Sequence, residues 1–331
     1  MADKGLDILE QYDFSVEGTS RGRGAYILKT DRGLKLLREY KGGSRRLCQV
    51  GEILEKLKES KKICVDAYVK NKDGEYSTQS EDGNRYIVKE WFDCRDCDIK
   101  NYGDIMQAVK GLGILHNELS EYENKRIIND IENENEFLYR APDMSALMSR
   151  HLKEIHRIKK YLSGRNNRNE FEILAASCCD EFYEEGKKAL TELNDFLGRS
   201  ILKKELCHGD YSYHNICFQA GAPVIINFEK MNRNYGICDL YHIMRKIMEK
   251  YDWDIKLGHK ILTEYDKVRT LREAELELLP ILFSFPEKFW KILNGYYNSN
   301  KAWLPAKNLE KLCRVKEQNV KRLEFIKTIH Q

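Results

Sequence analysis

Long hydrophobic runs, internal repeats and low-complexity tracts are all absent from this sequence of 331 residues. No stretch reaches the roughly 18 consecutive apolar residues that suggest a membrane-spanning helix, so we expect no membrane partner. The absence of a repeat argues against a solenoid. The first ten residues carry acidic side chains and no apolar run, so we also expect no signal peptide and synthesis in the cytoplasm.

A large net charge is missing as well. Lys and Arg together number 56 and Asp and Glu 53, so the formal net charge is only +3. Bulk charge therefore does not favour non-specific binding to nucleic acid, and we expect no nucleic-acid partner. With 42% hydrophobic and 33% charged residues, the composition is that of a globular protein, and the chain is long enough for two domains with separate cores.

Cysteine, by contrast, is plentiful, since the chain has ten. Because we expect no export signal, we expect these thiols to be reduced. Cys94 and Cys97 form the only CxxC pair, and a zinc ribbon would need a second one. Burial as small apolar residues is therefore the favoured interpretation, and a metal or redox role for Cys94 and Cys97 is the alternative.

The first 95 residues or so have the pattern of strands around one helix. Apolar residues at helical spacing predict a helix from Ser44 to Ser60. Turn residues Asp31, Arg32 and Gly33 predict a hairpin around them. The predicted strands of this part are residues 24–29, 34–40, 63–70 and 85–91, with a further candidate at 75–80.

Beyond Asp98 the pattern changes to long amphipathic helices, including one from Phe171 to Leu197 with Gly198 as its stop. A short hairpin interrupts them, with strands at residues 216–218 and 224–228. The sequence thus predicts an α+β protein with a small antiparallel β-lobe that contains one helix, and a large, mainly helical lobe.

The segment His208-Gly209-Asp210-Tyr211-Ser212-Tyr213-His214-Asn215 has the spacing of a kinase catalytic loop, in which Asn follows the Asp of His-x-Asp by five positions. In such a loop the carboxylate accepts or orients the proton of an attacking hydroxyl, and the amide oxygen coordinates magnesium. Asp210 and His208 are therefore the candidate catalytic residues, with His208 more a brace of the loop than a proton carrier. The alternative for Asp210 and Asn215 is the capping of turns, where both residue types are common.

Together, HGDYSYHNICF, INFEK and Cys238-Asp239-Leu240 resemble motifs of the aminoglycoside phosphotransferase and choline kinase superfamily, which has a protein-kinase-like fold. Within it, the chain is similar to the CotS-type spore coat proteins over nearly its whole length, including the ending FPEKFWKILNGYYNS. The resemblance implies a nucleotide-binding lobe at 1–95, a hinge near 90–98 and a helical lobe at 96–331. That helical lobe would carry a catalytic loop at 208–215 and a metal-binding hairpin at 216–229.

The resemblance also implies roles for single residues. Asp210 would be the catalytic base, Asn215 a magnesium ligand, and Asp239 the brace of the catalytic loop. Arg38 would contact the nucleotide phosphates, with Glu52 as its partner and Glu55 as a second candidate. The remaining implied nucleotide contacts are Gly22 and Gly24 in a phosphate-covering turn and Glu90, Trp91 and Phe92 beside the adenine.

One residue departs from the family pattern. Asn227 stands where the superfamily normally has the Asp that binds the metal ions, and an amide brings no charge to magnesium. Glu229, two residues later, would lie on the same face of a strand and supply the missing carboxylate. The first hypothesis is thus an enzyme that uses ATP and Mg²⁺ to phosphorylate an unknown small molecule. The second is a catalytically silent component of the bacterial spore coat, with other coat proteins as its partners.

Overall fold

The computed structural model describes residues 5–22, 24–129, 141–298 and 305–329. The chain divides into two compact units. The first comprises Met1–Tyr139, Glu205–Asp239 and Lys267–Arg269, and the second comprises Arg140–Lys204, Leu240–Asp266 and Thr270–Gln331. The unit that contains the predicted β-lobe therefore also contains the predicted catalytic segment. The division into 1–95 and 96–331 stays a prediction.

The first unit is built mainly from strands. Its strands are β1 Val16–Gly22, β2 Ala25–Thr30, β3 Gly33–Glu39, β4 Cys64–Val65, β5 Tyr68–Val69, β6 Thr78–Gln79, β7 Arg85–Glu90, β8 Arg95–Asp96, β9 Glu205–Cys207, β10 Ile216–Gln219, β11 Ala222–Ile225 and β12 Asn232–Asn234. Its helices are α1 Ser44–Ser60 and α2 Tyr102–Asn129, and 3₁₀ turns lie at Asp7–Gln11, Tyr213–Asn215 and Phe228–Lys230.

The largest sheet is antiparallel, in the order β1-β2-β3-β7-β5, with β6 paired to β7 as well. Leu36 on β3 lies opposite Lys89 on β7, and Lys35 lies opposite Glu90. Because cross-strand partners share a face and alternate residues face opposite ways, Leu36, Arg38 and Lys89 lie on one face, and Lys35 and Glu90 on the other. The face of Lys35 continues into an apolar cluster, formed by Ile8, Tyr12, Leu28, Leu37, Tyr86 and Val88.

A second sheet joins the predicted hairpin, β10 and β11, to the two short strands β4 and β8, in the order β4-β11-β10-β8. The strand predicted at 63–70 is thus two short strands in different sheets. The pairing of β8 with β10 brings Cys94 to Cys217, and the two form a disulfide with Cα atoms 5.7 Å apart. The expectation that all ten thiols are reduced is wrong for this pair. The CxxC spacing gave no sign of a partner 123 residues away.

Helix α1 has the predicted bounds because its apolar residues recur on one face. Leu47, Val50, Ile53, Leu54 and Leu57 are all buried. The helix ends at Ser60, and the next residue, Lys61, adopts a left-handed conformation that stops it.

The second unit is helical. It contains α3 Met144–Ser163, α4 Glu170–Arg199, α5 Ile237–Met248 from residue 240 onward, α6 Ile255–Asp266, α7 Glu273–Ser284, α8 Glu287–Tyr297 and α9 Pro305–Thr328. Helix α4 begins at a capping box between Asn169 and Glu172, and it runs through Gly198 to Arg199. Its buried face packs in a core with α3, α8 and α9. No helix in the described part of the chain is long and apolar enough to cross a bilayer. The predicted α+β class, with an antiparallel sheet lobe and a large helical lobe, is confirmed.

Candidate active site

The loop after β9 is fixed by one buried carboxylate. Asp239, at the start of α5, accepts hydrogen bonds from the backbone N–H of His208 at 2.7 Å and of Gly209 at 3.0 Å. Gly209 adopts φ +78°, and a Cβ there would lie 2.1 Å from the carbonyl oxygen of Lys230. Only glycine fits this position. The backbone at Gly209 and the hydrogen bonds to Asp239 together fix the orientation of the next residue, Asp210.

His208 is fully buried and bridges two segments. Its Nδ1 accepts the backbone N–H of Asp210 at 3.2 Å, and its Nε2 lies 3.1 Å from the carbonyl oxygen of Ile226. These contacts require a neutral ring with the proton on Nε2. Burial lowers the pKa of His208, although Asp239 and the Ile226 carbonyl oppose this effect. His208 therefore connects the loop to the segment that carries Asn227.

Asp210, Asn215 and Asn227 are linked by direct contacts. The Asn215 amide donates to the Asp210 carbonyl oxygen at 2.8 Å, and the Asn227 amide donates to Oδ1 of Asn215 at 2.9 Å. The carboxylate of Asp210 is 3.0 Å from Nζ of Lys230. The structure thus brings together three polar residues that the sequence analysis selected separately.

The predicted strand through residues 224–228 is wrong at its end. Strand β11 ends at Ile225, and Asn227 adopts the left-handed conformation with φ 69° before a 3₁₀ turn at Phe228–Lys230. Asn tolerates this conformation better than most residues because its short side chain bonds locally. The alternation of a strand therefore does not relate Asn227 to Glu229, although both still lie in the same short segment.

Glu229 lies in a partly buried charge network. Its Oε1 contacts Nζ of Lys89, which is fully buried, and Nη1 of Arg38 at 3.2 Å. Lys89 also donates to Oδ2 of Asp66 at 3.0 Å, and Asp66 is fully buried as well. That same oxygen accepts the backbone N–H of Asn227 at 2.9 Å. The network therefore joins the sheet face that carries Arg38 and Lys89 to the segment around Asn227.

The charges of this network set its pKa values. Burial raises the pKa of Glu229, but Lys89 and Arg38 outweigh this effect and hold it below its ordinary value. For Asp66, burial dominates and raises the pKa, although Lys89 opposes it. Within the described residues, Oδ1 of Asp66 has no hydrogen-bond partner. Glu229 is accordingly the carboxylate held in its charged form by this network.

Sequence reasoning missed Asp66, Lys89 and Arg46. The guanidinium of Arg46, on α1, donates to the carbonyl oxygen of Glu229 at 2.6 Å and to that of Met231 at 2.7 Å. A lysine inside the otherwise apolar strand Tyr-Ile-Val-Lys, and an aspartate between Val65 and Ala67, were the available signals. Charged residues in buried strands need partners, but the sequence does not say which.

Among the other predicted nucleotide contacts, Arg38 does not form its predicted pair. Arg38 bonds Glu229 rather than the predicted Glu52, which is an exposed residue of α1. Glu55 pairs with Lys70 instead. Gly22 ends β1 and Gly24 follows with φ +72°, while Arg23 between them lies outside the described residues.

The predicted hinge residues begin at the end of β7. Glu90 is its last residue, and its carboxylate bonds Lys35 and Lys58, each at 2.7 Å. Trp91 donates its backbone N–H to the carbonyl oxygen of Leu34, and Trp91 and Phe92 pack against the β10–β11 hairpin. The side chain of Glu90 and the backbone N–H of Trp91 are thus already engaged in contacts within the first unit.

The fold is shared with solved phosphotransferase structures. An aminoglycoside phosphotransferase from Alicyclobacillus acidocaldarius has a TM-score of 0.82 and 16% identity, over 97% of this chain and 94% of that one. An amicoumacin kinase in complex with AMP-PNP, Ca²⁺ and Ami has a TM-score of 0.64 and 14% identity, over 97% and 94%. A spectinomycin phosphotransferase in complex with ADP and spectinomycin has a TM-score of 0.62 and 12% identity, over 98% of this chain and 96% of that one.

No protein-family model matches the chain, and no curated protein matches it. Identities of this size establish the fold and leave the activity to be argued from the residues. The chain therefore has the protein-kinase-like α+β fold of the aminoglycoside phosphotransferase structures.

Proposed function

We propose that the protein is a phosphotransferase that moves the terminal phosphoryl group of ATP to a hydroxyl of a small molecule. The observation that carries this proposal is the contact chain from Asp210 through Asn215 to Asn227, held by Asp239 and followed by Glu229, which contacts Arg38. Gly209, with its positive φ, and the buried carboxylate of Asp239 hold the loop rigidly behind one partly exposed aspartate, as the orientation of a general base requires.

In this proposal Asp210 accepts the proton of the attacking hydroxyl, since its carboxylate is partly exposed and oriented by a rigid loop. Lys230, 3.0 Å from that carboxylate, places a positive charge where the transferred phosphoryl group would develop negative charge. Arg38 contacts the phosphates, and the backbone of Trp91 and Phe92 borders the base. Asp239 and His208 position the loop and do not touch the reacting atoms.

The candidate metal ligands supply the oxygen atoms that a hard divalent cation prefers, but they carry only one negative charge between them. Asn215, Asn227 and Glu229 offer oxygen atoms, as magnesium requires, and Glu229 is the one carboxylate among them. Two of these oxygens already accept bonds from other residues, Oδ1 of Asn215 from Asn227 and Oε1 of Glu229 from Lys89 and Arg38. Magnesium, when bound, would neutralise phosphate charge. Asn215, Asn227 and Glu229 are the residues that would hold it.

The experiment is a thermal unfolding titration with ATP, with and without Mg²⁺, followed by an assay of γ-phosphoryl transfer to a panel of small hydroxyl compounds. A ligand that binds the folded state raises its stability by mass action. We expect a shift in the wild type that is lost when both Asp210→Ala and Asn215→Ala are present. Asp210→Asn should keep the shift and lose transfer, because it preserves shape and removes the base. A flat response to millimolar ATP contradicts the proposal.

A second candidate function has its own support. Asn227 lacks the usual charge, and Glu229 is already neutralised by Lys89 and Arg38. Both observations favour a catalytically silent protein that binds partners, and the sequence resemblance to CotS-type proteins favours the spore coat as its place. This candidate predicts no transfer with any acceptor and co-purification with coat proteins from spores. An active wild-type enzyme excludes it.

A further inference from the structure

A cavity of about 750 Å³ lies within the first unit, away from the face that carries Arg38 and Lys89. Lys35, Val69 and Glu90 line it, and all three belong to the opposite face of the large sheet. The end of α1 and the turn of the β10–β11 hairpin complete its wall. Its volume is in the range of roughly 300–1,000 Å³ that small-molecule sites occupy.

The cavity is unusually rich in positive charge for a protein with a net charge of +3. Among its lining residues are six cations and two acids, and the cations are Arg32, Lys35, Lys58, Lys61, Lys62 and Lys70. The acids are Asp13 and Glu90. A concave wall with one dominant sign of charge concentrates ions of the opposite sign.

The cations are not all neutralised by neighbouring carboxylates. Glu90 is shared between Lys35 and Lys58, at 2.7 Å from each. In the part of the chain that the structure describes, no carboxylate forms an ion pair with Arg32 or Lys61. One carboxylate cannot neutralise two ammonium groups, so Lys35, Lys58 and Glu90 together keep one positive charge. Part of this group is desolvated, because the side chain of Lys35 is only 6% exposed. An anion in the cavity would compensate that charge.

The rest of the wall is apolar. Phe14, Ile63, Val65, Phe92 and Ile114 contribute side chains that can cover an aromatic or aliphatic body. The combination of an apolar floor with a cationic rim fits neither a free inorganic ion nor a neutral apolar compound. We propose that this cavity is a second ligand site for a small organic phosphate, with the phosphate at Arg32, Lys58 and Lys61 and the body over the apolar wall.

The site is placed to act on the candidate active site. Val65 lines the cavity, and the next residue, Asp66, accepts the backbone N–H of Asn227. Pro223 lines it as well, on the hairpin that leads from Asn215 to Asn227. The proposal itself concerns binding and is independent of the proposed phosphotransferase activity.

The test uses isothermal titration of the full chain with 2-naphthyl phosphate, and with 2-naphthol and inorganic phosphate as the two matched fragments. We expect saturable binding of one molecule per chain, at least tenfold tighter than either fragment. Arg32→Ala/Lys61→Ala should weaken it about tenfold, because two exposed cations are removed from the rim. Lys56→Ala is the control, since Lys56 lies on α1, is exposed and pairs with Glu59 outside the cavity.

Two outcomes would overturn the proposal. Equal affinities for the double variant and the Lys56→Ala control would show that the rim does not bind the phosphate. Binding that survives in the double variant and is lost in Arg38→Ala would place the probe in the candidate active site instead. Thermal unfolding of each variant checks that the fold is kept, and the exposed positions of Arg32 and Lys61 make this the expected result.

Discussion

At the scale of single residues, the buried Lys89 is the central cation of the charge network in the candidate site. Its ammonium group holds two carboxylates, those of Asp66 and Glu229, and it has no contact with solvent. The network thus contains two carboxylates, the buried ammonium group of Lys89 and the more exposed guanidinium of Arg38. Removal of Lys89 would leave buried charge without a partner.

We therefore expect Lys89→Met to lower the free energy of unfolding by about 3–5 kcal/mol, because it leaves the carboxylate of Asp66 buried and unpaired. Urea denaturation measures this, and Lys56→Met, at an exposed position of α1, is the control with a change under about 0.5 kcal/mol. A loss below 1 kcal/mol for Lys89→Met would mean that Asp66 is neutral or hydrated in the folded protein.

His208 should make stability depend on pH. Its pKa in the folded state is lowered from 6.5 by burial, so the unfolded chain takes up a proton more readily. The contribution of His208 is fully present above pH 6.5 and is lost as the pH falls below it, by up to about 1.4 kcal/mol per pH unit. His208→Gln should remove this slope between pH 6.5 and 5, and His214→Gln, at an exposed position, should keep it. An unchanged slope in His208→Gln contradicts the assignment.

At the scale of elements, the sequence predicted what local rules determine. The bounds of α1, the β2–β3 hairpin and the β10–β11 hairpin follow from periodicity and turn residues. The end of β11 was wrong because the left-handed Asn227 interrupts an apolar run without a glycine or proline to mark it. The loop motif at 208–215 was readable because its spacing is local. The partners of Arg38, Asp66 and Lys89 were not, since their contacts with Asn227 and Glu229 join positions more than 100 residues apart.

The loop and the hairpin offer a matched pair of glycines. Gly209 and Gly221 both have positive φ, at 78° and 84°. An added Cβ at Gly209 would collide with the Lys230 carbonyl, whereas nothing lies within 4 Å of one at Gly221. Gly221→Ala should cost about 1–2 kcal/mol from the backbone alone, and Gly209→Ala clearly more. Chemical denaturation of both variants measures the difference. Equal losses would show that the loop can move away from Lys230 at no cost.

At the scale of the whole molecule, one covalent bond joins residues 123 positions apart, Cys94 and Cys217. Closing so long a loop should stabilise the folded state by about 2–5 kcal/mol. The oxidised protein should show eight free thiols in denaturant and ten after reduction. Dithiothreitol should lower its melting temperature, and Cys94→Ser should remove that effect while Cys97→Ser keeps it. Ten thiols before reduction would show that the bond does not form.

The balance of charge decides whether this molecule binds a nucleotide with a metal ion. Asn227→Asp adds a carboxylate beside Asp66, whose oxygen is 2.9 Å from the backbone nitrogen of residue 227, and Asp tolerates the positive φ of this position. Without metal, the added charge faces Asp66 and Glu229, so we expect a lower melting temperature than that of the wild type. With Mg²⁺ and ATP, the same charge becomes a metal ligand, so the ligand-induced rise should exceed that of the wild type. Asn227→Ala removes the oxygen and adds no charge. The positive φ of this position also lowers its melting temperature, so the control is its ligand-induced rise, which should not exceed that of the wild type. If Asn227→Asp gains no more from Mg²⁺ and ATP than the wild type does, then residue 227 does not lie at a metal site, and the missing carboxylate is no longer an argument against catalysis.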